Sequence, residues 1–220
     1  MIDKSQIQHS MSLHETAEKL PKMKKMFEAI TALILEGADI NTMKVSDITA
    51  RAAIGKGTAY EYFKSKDELI VKAVLYELET LLQEVEDSIK ACRSFRERYI
   101  CILNWLEENF SGRNSITLFM NMYQGAYQIS ATLKAEMMNQ THGFECMLEH
   151  SRELLMEGIR DGELRDDLPL NMMCAVLVSS FSSLIIFLNQ EMKQKAKIKE
   201  ASIEQLKQLL TESLFATLGR

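Results

Sequence analysis

Between Lys44 and Lys66 the apolar positions fall into two short helical patterns separated by glycine. Val45, Ile48 and Ala52 recur at spacings of three and four and give a first helix one apolar face. Gly55 and Gly57 interrupt that pattern, and Ala59 and Phe63, one turn apart, share the core face of a second helix. Upstream, Pro21 suits the first turn of a helix whose stripe is Met23, Met26, Phe27, Ile30, Leu33 and Ile34, with Gly37 to close it. Downstream, a stripe of Leu69, Ile70, Ala73, Val74, Leu78, Leu81, Leu82, Val85 and Ile89 predicts one long helix, because no Gly or Pro interrupts it up to about Ala91. Further helices are predicted at about 94–110, 114–125, 127–160, 169–190 and 201–218, and no run of alternating β-branched residues predicts a strand. The chain therefore reads as all-α, with a loose arm over 1–20, a three-helix unit over 21–72 and a larger helical body over 73–220.

The second short helix carries the chemistry. At about 100° per residue, Gly57, Thr58 and Glu61 point away from the Ala59/Phe63 face, with Tyr60 and Tyr62 on the shoulders and Lys56 at the start. Small and polar residues facing outward between hydroxyl-bearing aromatics suit a helix lying in a DNA major groove. The outward residues approach base edges, while Tyr60, Tyr62, Lys56, Lys64 and Lys66 reach phosphates on the groove walls. Lys44 and Ser46, at the start of the first helix, join the predicted DNA-facing set. The start of the long helix near Ser65–Asp67 can point further N–H groups at a phosphate. A helical hairpin with a solvated lysine face is the plain alternative.

The string IGKGTAYEYFKSKDEL resembles the recognition-helix segment of the tetracycline-repressor (TetR) family. Ile54, Lys56, Gly57, Thr58, Tyr60, Tyr62, Phe63, Ser65, Lys66, Asp67 and Leu69 carry the likeness in order. Ala53 stands where the family usually has a turn glycine, Lys44 where it usually has a Ser/Thr cap, and Glu61 where an aromatic or imidazole group is commoner. The resemblance implies a helix-turn-helix domain followed by a helical ligand-binding and dimerisation domain. It also implies a cytoplasmic homodimer on palindromic double-stranded operator DNA, released by a small-molecule effector and acting as a repressor.

Charge fits this division once it is resolved along the chain. Residues 1–72 hold 11 Lys and Arg against 10 Asp and Glu, net +1, and residues 73–220 hold 15 against 21, net −6. A near-neutral unit with clustered lysines can approach DNA while an acidic body stays off it. Cys92, Cys101, Cys146 and Cys174 are scattered without a C-x-x-C pair, as expected of reduced thiols rather than a disulfide framework. No basic stretch followed by an apolar run marks a secretory signal.

Residues 168–190 carry no charge, which is long enough to cross a membrane. Asn171, Ser179, Ser180, Ser182, Ser183 and Asn189 lie inside it, so a helix buried between its own domain and a partner subunit is the expected reading, with no membrane. The predicted dimer interface is Ala175, Ser179, Ser183, Leu184 and Phe187 from this segment with Leu206, Leu210 and Leu214 from the last helix, half of a four-helix contact. Trp105, Phe119, Met120, Tyr123, Tyr127, Met137, Phe144 and Met147 are soft and aromatic residues of a kind that lines adaptable pockets for apolar or cationic ligands, and equally of a kind that fills a core.

Two rival chemistries are weak. His142, Cys146 and His150 lie at i, i+4 and i+8, a stripe of potential metal ligands for a helical metal-binding protein or enzyme. The stripe drifts by about 40° per step, however, so one ion cannot readily collect all three. Gly55-Lys56-Gly57-Thr58 lacks the upstream glycine and strand of a phosphate loop. No cofactor motif or catalytic constellation is expected.

Overall fold

The computed structural model describes residues 20–110, 129–139, 142–194 and 200–220, together with Leu13, Thr16 and Ala17. The described elements are helices: α1 Pro21–Leu35, α2 Val45–Arg51, α3 Lys56–Tyr62, α4 Lys66–Ile89, α5 Phe95–Phe110, α6 Ala131–Asn139, α7 His142–Arg160, α8 Leu170–Gln194 and α9 Glu200–Leu218. The only extended pairing among the described residues is an isolated bridge between Leu164 and Gly219. The chain is all-α, as the periodicity predicts.

It divides into two compact units. The first holds the chain up to Leu81 together with the described residues of 114–143; the second holds the described residues of 82–113 and 144–220. α4 begins in the first and ends in the second.

In the first unit α1 starts on Pro21 and buries Met23, Met26, Phe27, Ala29, Ile30 and Ile34. It ends in a paired closure, Gly37 N–H to Ile34 O (3.0 Å) and Ala38 N–H to Leu33 O (2.9 Å), with Gly37 at φ +90°. This is the glycine-dependent helix stop that satisfies two orphan carbonyls. Phe27 is fully buried, its ring 5.8 Å from Phe63 and 5.3 Å from Tyr76. One side chain of α1 thus touches the end of α3 and the middle of α4. From α4, Leu69, Ile70, Val71, Ala73, Val74, Leu75, Tyr76, Leu78 and Leu81 are buried. The start of α4 is capped by Ser65 Oγ, which accepts the Glu68 N–H (3.0 Å), while the Glu68 carboxylate accepts the Lys64 N–H (2.6 Å). Burial pushes the Glu68 carboxyl up, but the hydrogen bond from Lys72, the Lys64 N–H and both lysine charges outweigh it and hold its pKa below the ordinary value.

The second unit is built on Phe95, Tyr99 and Leu103 of α5, Leu155 of α7, Leu177 and Leu184 of α8, and Leu214 and Leu218 of α9, all deeply buried. The buried Tyr99 hydroxyl pairs with Ser180. The α5 N-terminus is held by the Glu163 carboxylate, which accepts the N–H groups of Phe95 (2.6 Å) and Arg96 (3.2 Å). A carboxylate there satisfies orphan donors and complements the helix dipole. Gly162, at φ +77°, ends α7 in the same kind of closure as Gly37. Lys207 on α9 is buried and donates to Asn104 Oδ1 (2.9 Å) and Glu107 Oε2 (2.5 Å) on α5. α8 over Leu170–Leu188 is the one described helix long and apolar enough to cross a membrane by length and composition.

The turn between α2 and α3 departs from easy backbone geometry. Ala53 sits at φ +54°, closing α2 through Ala53 N–H to Ala50 O (3.2 Å) and Ile54 N–H to Thr49 O (2.9 Å). The left-handed region costs an L-residue about 1–2 kcal/mol, partly offset because glycine loses more freedom on folding. Ala53→Gly should therefore stabilise the first unit by about 0.5–1 kcal/mol, read as a higher urea midpoint with unchanged slope. A lower midpoint would mean that the turn is not strained at Ala53.

Candidate nucleic-acid interface

α3 has seven residues, too few to be stable alone, and is held through Ala59 and through Phe63 just beyond its end, both buried. Lys56, Gly57, Tyr60 and Glu61 are exposed, Thr58 and Tyr62 half-buried, and Tyr60 is 52% exposed. Gly57 has open space where a Cβ would be, so nothing among the described residues requires a glycine there. Lys44 and Ser46 are exposed at the start of α2. Lys44 offers no side-chain acceptor to the first turn, but Asp47 supplies the reciprocal half of a capping box, its Oδ2 accepting the Lys44 N–H at 3.1 Å. The predicted DNA-facing residues on α2 and α3 thus have exposed or half-exposed side chains, and the short helices are set by the Phe27–Phe63 packing beneath them.

Lys66 is placed differently from its expected phosphate contact. Its Nζ donates to Asn41 O (3.0 Å) and lies 4.0 Å from Asp67 Oδ1. Two donors around the start of α4 are likewise taken by Ser65 and Glu68 rather than presented outward. Asn41, absent from the predicted set, is the hub of this corner. Its Oδ1 accepts the Ser130 N–H at 2.9 Å, at the start of α6, while its own N–H and Nδ2 donate to Asp39 Oδ1 (3.0 and 3.1 Å). Asp39-x-Asn41 reads in sequence as a turn, but its two distant partners carry no local signal.

Of the predicted ligand set, Trp105 is half-buried on α5 and Met137 half-buried on α6, in different units. Phe119, Met120, Tyr123 and Tyr127 lie outside the described residues, as do the side chains of Phe144 and Met147 on α7. His150 Nε2 stands 4.0 Å from Glu86 Oε2, whereas the His142 and Cys146 side chains lie outside the described residues. No cluster of three potential metal ligands occurs among the described residues.

On α8, Ala175, Ser179 and Ser183 are exposed and continue a face with Met172 (59% exposed) and Ile186 (44%). Leu184 points the other way and is completely buried in its own unit, and Phe187 is half-buried. On α9, Leu206 and Leu210 are half-buried and Leu214 is buried, while Leu209 is 58% exposed. Of the predicted α9 leucines only Leu214 is thus enclosed by its own unit, and Met172, Ile186 and Leu209 are large apolar residues left exposed on the described parts of α8 and α9. Sequence periodicity finds such a stripe but cannot say which of two buried sides belongs to the chain itself.

Residues 33–73 match the model of the bacterial regulatory proteins, tetR family. The reading head is a TetR-family DNA-binding domain. The fatty acid metabolism regulator protein of Bacillus subtilis is 21% identical over 155 residues, 70% of this chain and 77% of that protein. The fold is shared with the Bacillus subtilis transcriptional regulator FadR in complex with stearoyl-CoA (TM-score 0.65, 18% identity, 87% of this chain and 96% of that one). It is shared equally with the fatty acid degradation regulator FadR of Bacillus halodurans (TM-score 0.65, 19% identity, 87% and 95%). The head is that of a DNA-binding transcription regulator, and these relatives are described as regulators.

The DNA-facing set separates by readout. Thr58→Ala should change preference at one base position by about 1–3 kcal/mol and leave the salt slope alone. Lys64→Ala should weaken binding to every duplex and reduce the log K against log salt slope by about 1. Lys66→Ala should also lower the melting temperature, because it releases the Asn41 loop. Anisotropy titrations on operator and scrambled duplexes from low to moderate salt check the first two, and a thermal melt followed by circular dichroism checks the third. An unchanged slope for Lys64→Ala would remove it from the phosphate contacts.

Proposed function

We propose that the chain is a homodimeric repressor, released from a palindromic operator by a small molecule with a largely apolar part. The observation that carries this reading is the exposed Lys56–Tyr62 face on a TetR-family head. In this reading Gly57, Thr58 and Glu61 face the bases, Glu61 accepting from a cytosine amino group, and Lys44, Ser46, Lys56, Tyr60, Tyr62 and Lys64 hold phosphates. Residues 21–72 form the DNA-binding domain and 73–220 the effector-binding and dimerisation body of a cytoplasmic protein. The FadR relative with stearoyl-CoA makes a long-chain acyl thioester the first effector to try, in keeping with the Met- and aromatic-rich stretch from Trp105 to Met147.

The dimer reading rests on the open α8/α9 face. Small residues at 175, 179 and 183 permit close helix approach, and Met172, Ile186 and Leu209 supply apolar surface that stays in water in a single copy. It also accounts for the charge-free stretch of α8 up to residue 190 without a membrane. Ile186→Glu with Leu209→Glu should give a folded monomer with weakened operator binding, seen by sedimentation and footprinting. Leu184→Glu should instead unfold its unit, as a charge placed in a core does. A wild-type monomer at micromolar concentration would end this reading.

For the switch, α4 is the candidate transmitter. It runs 24 residues without Gly or Pro from the reading head to Ile89. Two heads must stand about 34–36 Å apart to enter successive major grooves, so a shift of several ångströms spoils the fit. By linkage, the effector must bind the DNA-free form more tightly, and DNA must weaken effector binding by the same factor. Footprinting on the DNA flanking the chain's own coding region, with and without stearoyl-CoA, should show a protected palindrome that opens with ligand. Insertion of Gly-Gly after Gln83, past the buried stretch of α4, should leave ligand binding intact but abolish ligand-induced release. Full release from that variant rules out the rigid-helix route, and protection that ignores acyl-CoA rules out this effector class.

A further inference from the structure

Cys92 and Cys101 take no part in the DNA-facing set or the open α8/α9 face. Both are free and half-buried. Cys92 lies in the turn after α4, its N–H donating to Ile89 O at 2.9 Å. Cys101, in the second turn of α5, directs its Sγ at Ser88 O (3.4 Å) and Ser88 Oγ (4.0 Å). The two residues are thus fastened to consecutive carbonyls, Ser88 O and Ile89 O, in the last turn of α4, near enough that the Cys101 thiol helps to raise the Cys92 pKa. Cys174, by contrast, is buried on α8.

We propose that Cys92 and Cys101 are a dithiol–disulfide pair, oxidised reversibly within the folded chain by low-molecular-weight disulfides. The thiolate of one cysteine attacks the small disulfide, forms a mixed disulfide and expels one small thiol. The second cysteine then attacks the protein sulfur of that mixed disulfide and expels the other small thiol. Two protein thiols and one small disulfide become one protein disulfide and two small thiols, so two electrons and two protons pass to the oxidant. Two cysteines fastened to consecutive carbonyls of one helical turn need little backbone movement to reach bonding geometry. The bond closes a short loop, 92 to 101, and pins the end of α4 to α5. Burial and the neighbouring Cys101 thiol, with Glu97 adding and Arg98 opposing, push the Cys92 thiol up, which favours its protonated form. In a reducing compartment such a bond is transient and reports an oxidising challenge.

The test uses the full-length native protein, treated with excess glutathione disulfide at pH 8, alkylated, digested with trypsin and analysed by mass spectrometry. Cleavage after Lys90, Arg93 and Arg98 places Cys92 and Cys101 on separate peptides. The expected result is loss of two thiols per chain, a Cys92–Cys101 cross-linked peptide pair within one chain, and full reversal by dithiothreitol. Cys92→Ser and Cys101→Ser, each with wild-type circular dichroism, should stop at one glutathione adduct on the remaining partner. No thiol loss, separate adducts on both cysteines, a link to Cys146 or Cys174, a link between chains, or a link formed only in urea would each overturn the proposal.

Discussion

The first unit depends on what happens around Phe27. Its fully buried ring stands beside Phe63 at the end of the reading helix and Tyr76 in the long helix. Aromatic pairs at such separations add about 0.5–1.5 kcal/mol each beyond the area they bury. The larger effect is positional: α3 has two turns and no independent stability, so its direction is inherited from Phe27. The Phe27 contacts, the capped start of α4 and the Lys66–Asn41 bond join α1, α3 and α4 into one object, and that object carries the exposed residues toward DNA.

A second constraint governs the other unit, where polar groups are buried only in company. Tyr99 meets Ser180, Lys207 meets Asn104 and Glu107, and Glu163 caps α5 from far along the chain. No buried side-chain nitrogen or oxygen among the described residues lacks a partner. Such pairings are costly to break singly, because the remaining member is left desolvated. They fix which faces of α5, α8 and α9 turn inward, and so which apolar residues remain exposed.

Local signals account for what was legible in the sequence. Pro21, Gly37 and Gly162 mark helix ends because their backbone chemistry acts on adjacent residues, and the structure ends or begins helices at each. The 3.6-residue periodicity places Phe27, Ala59 and Phe63 in a core and Lys56 and Glu61 outside it. What was not legible depends on distant partners. The bond from Lys66 Nζ to Asn41 O joins positions 25 residues apart, and Leu184 looks like an interface residue until its own unit is seen to enclose it. Asn41 itself carries no periodic or motif signal, since its importance lies in Lys66 and Ser130.

The reading helix has Ala59 as its buried residue, and every other position of α3 keeps at least part of its side chain in water. Folding therefore demands little of Lys56, Gly57, Thr58, Tyr60 and Glu61 beyond helical backbone geometry. On the proposed reading, a substitution at one of them alters recognition at small cost to stability, whereas one at Ala59 or Phe63 disturbs the frame without changing the alphabet it reads. Descendants of such a chain can drift to new operators through single, individually viable steps, because the surface that encodes the address is decoupled from the core that holds it in place.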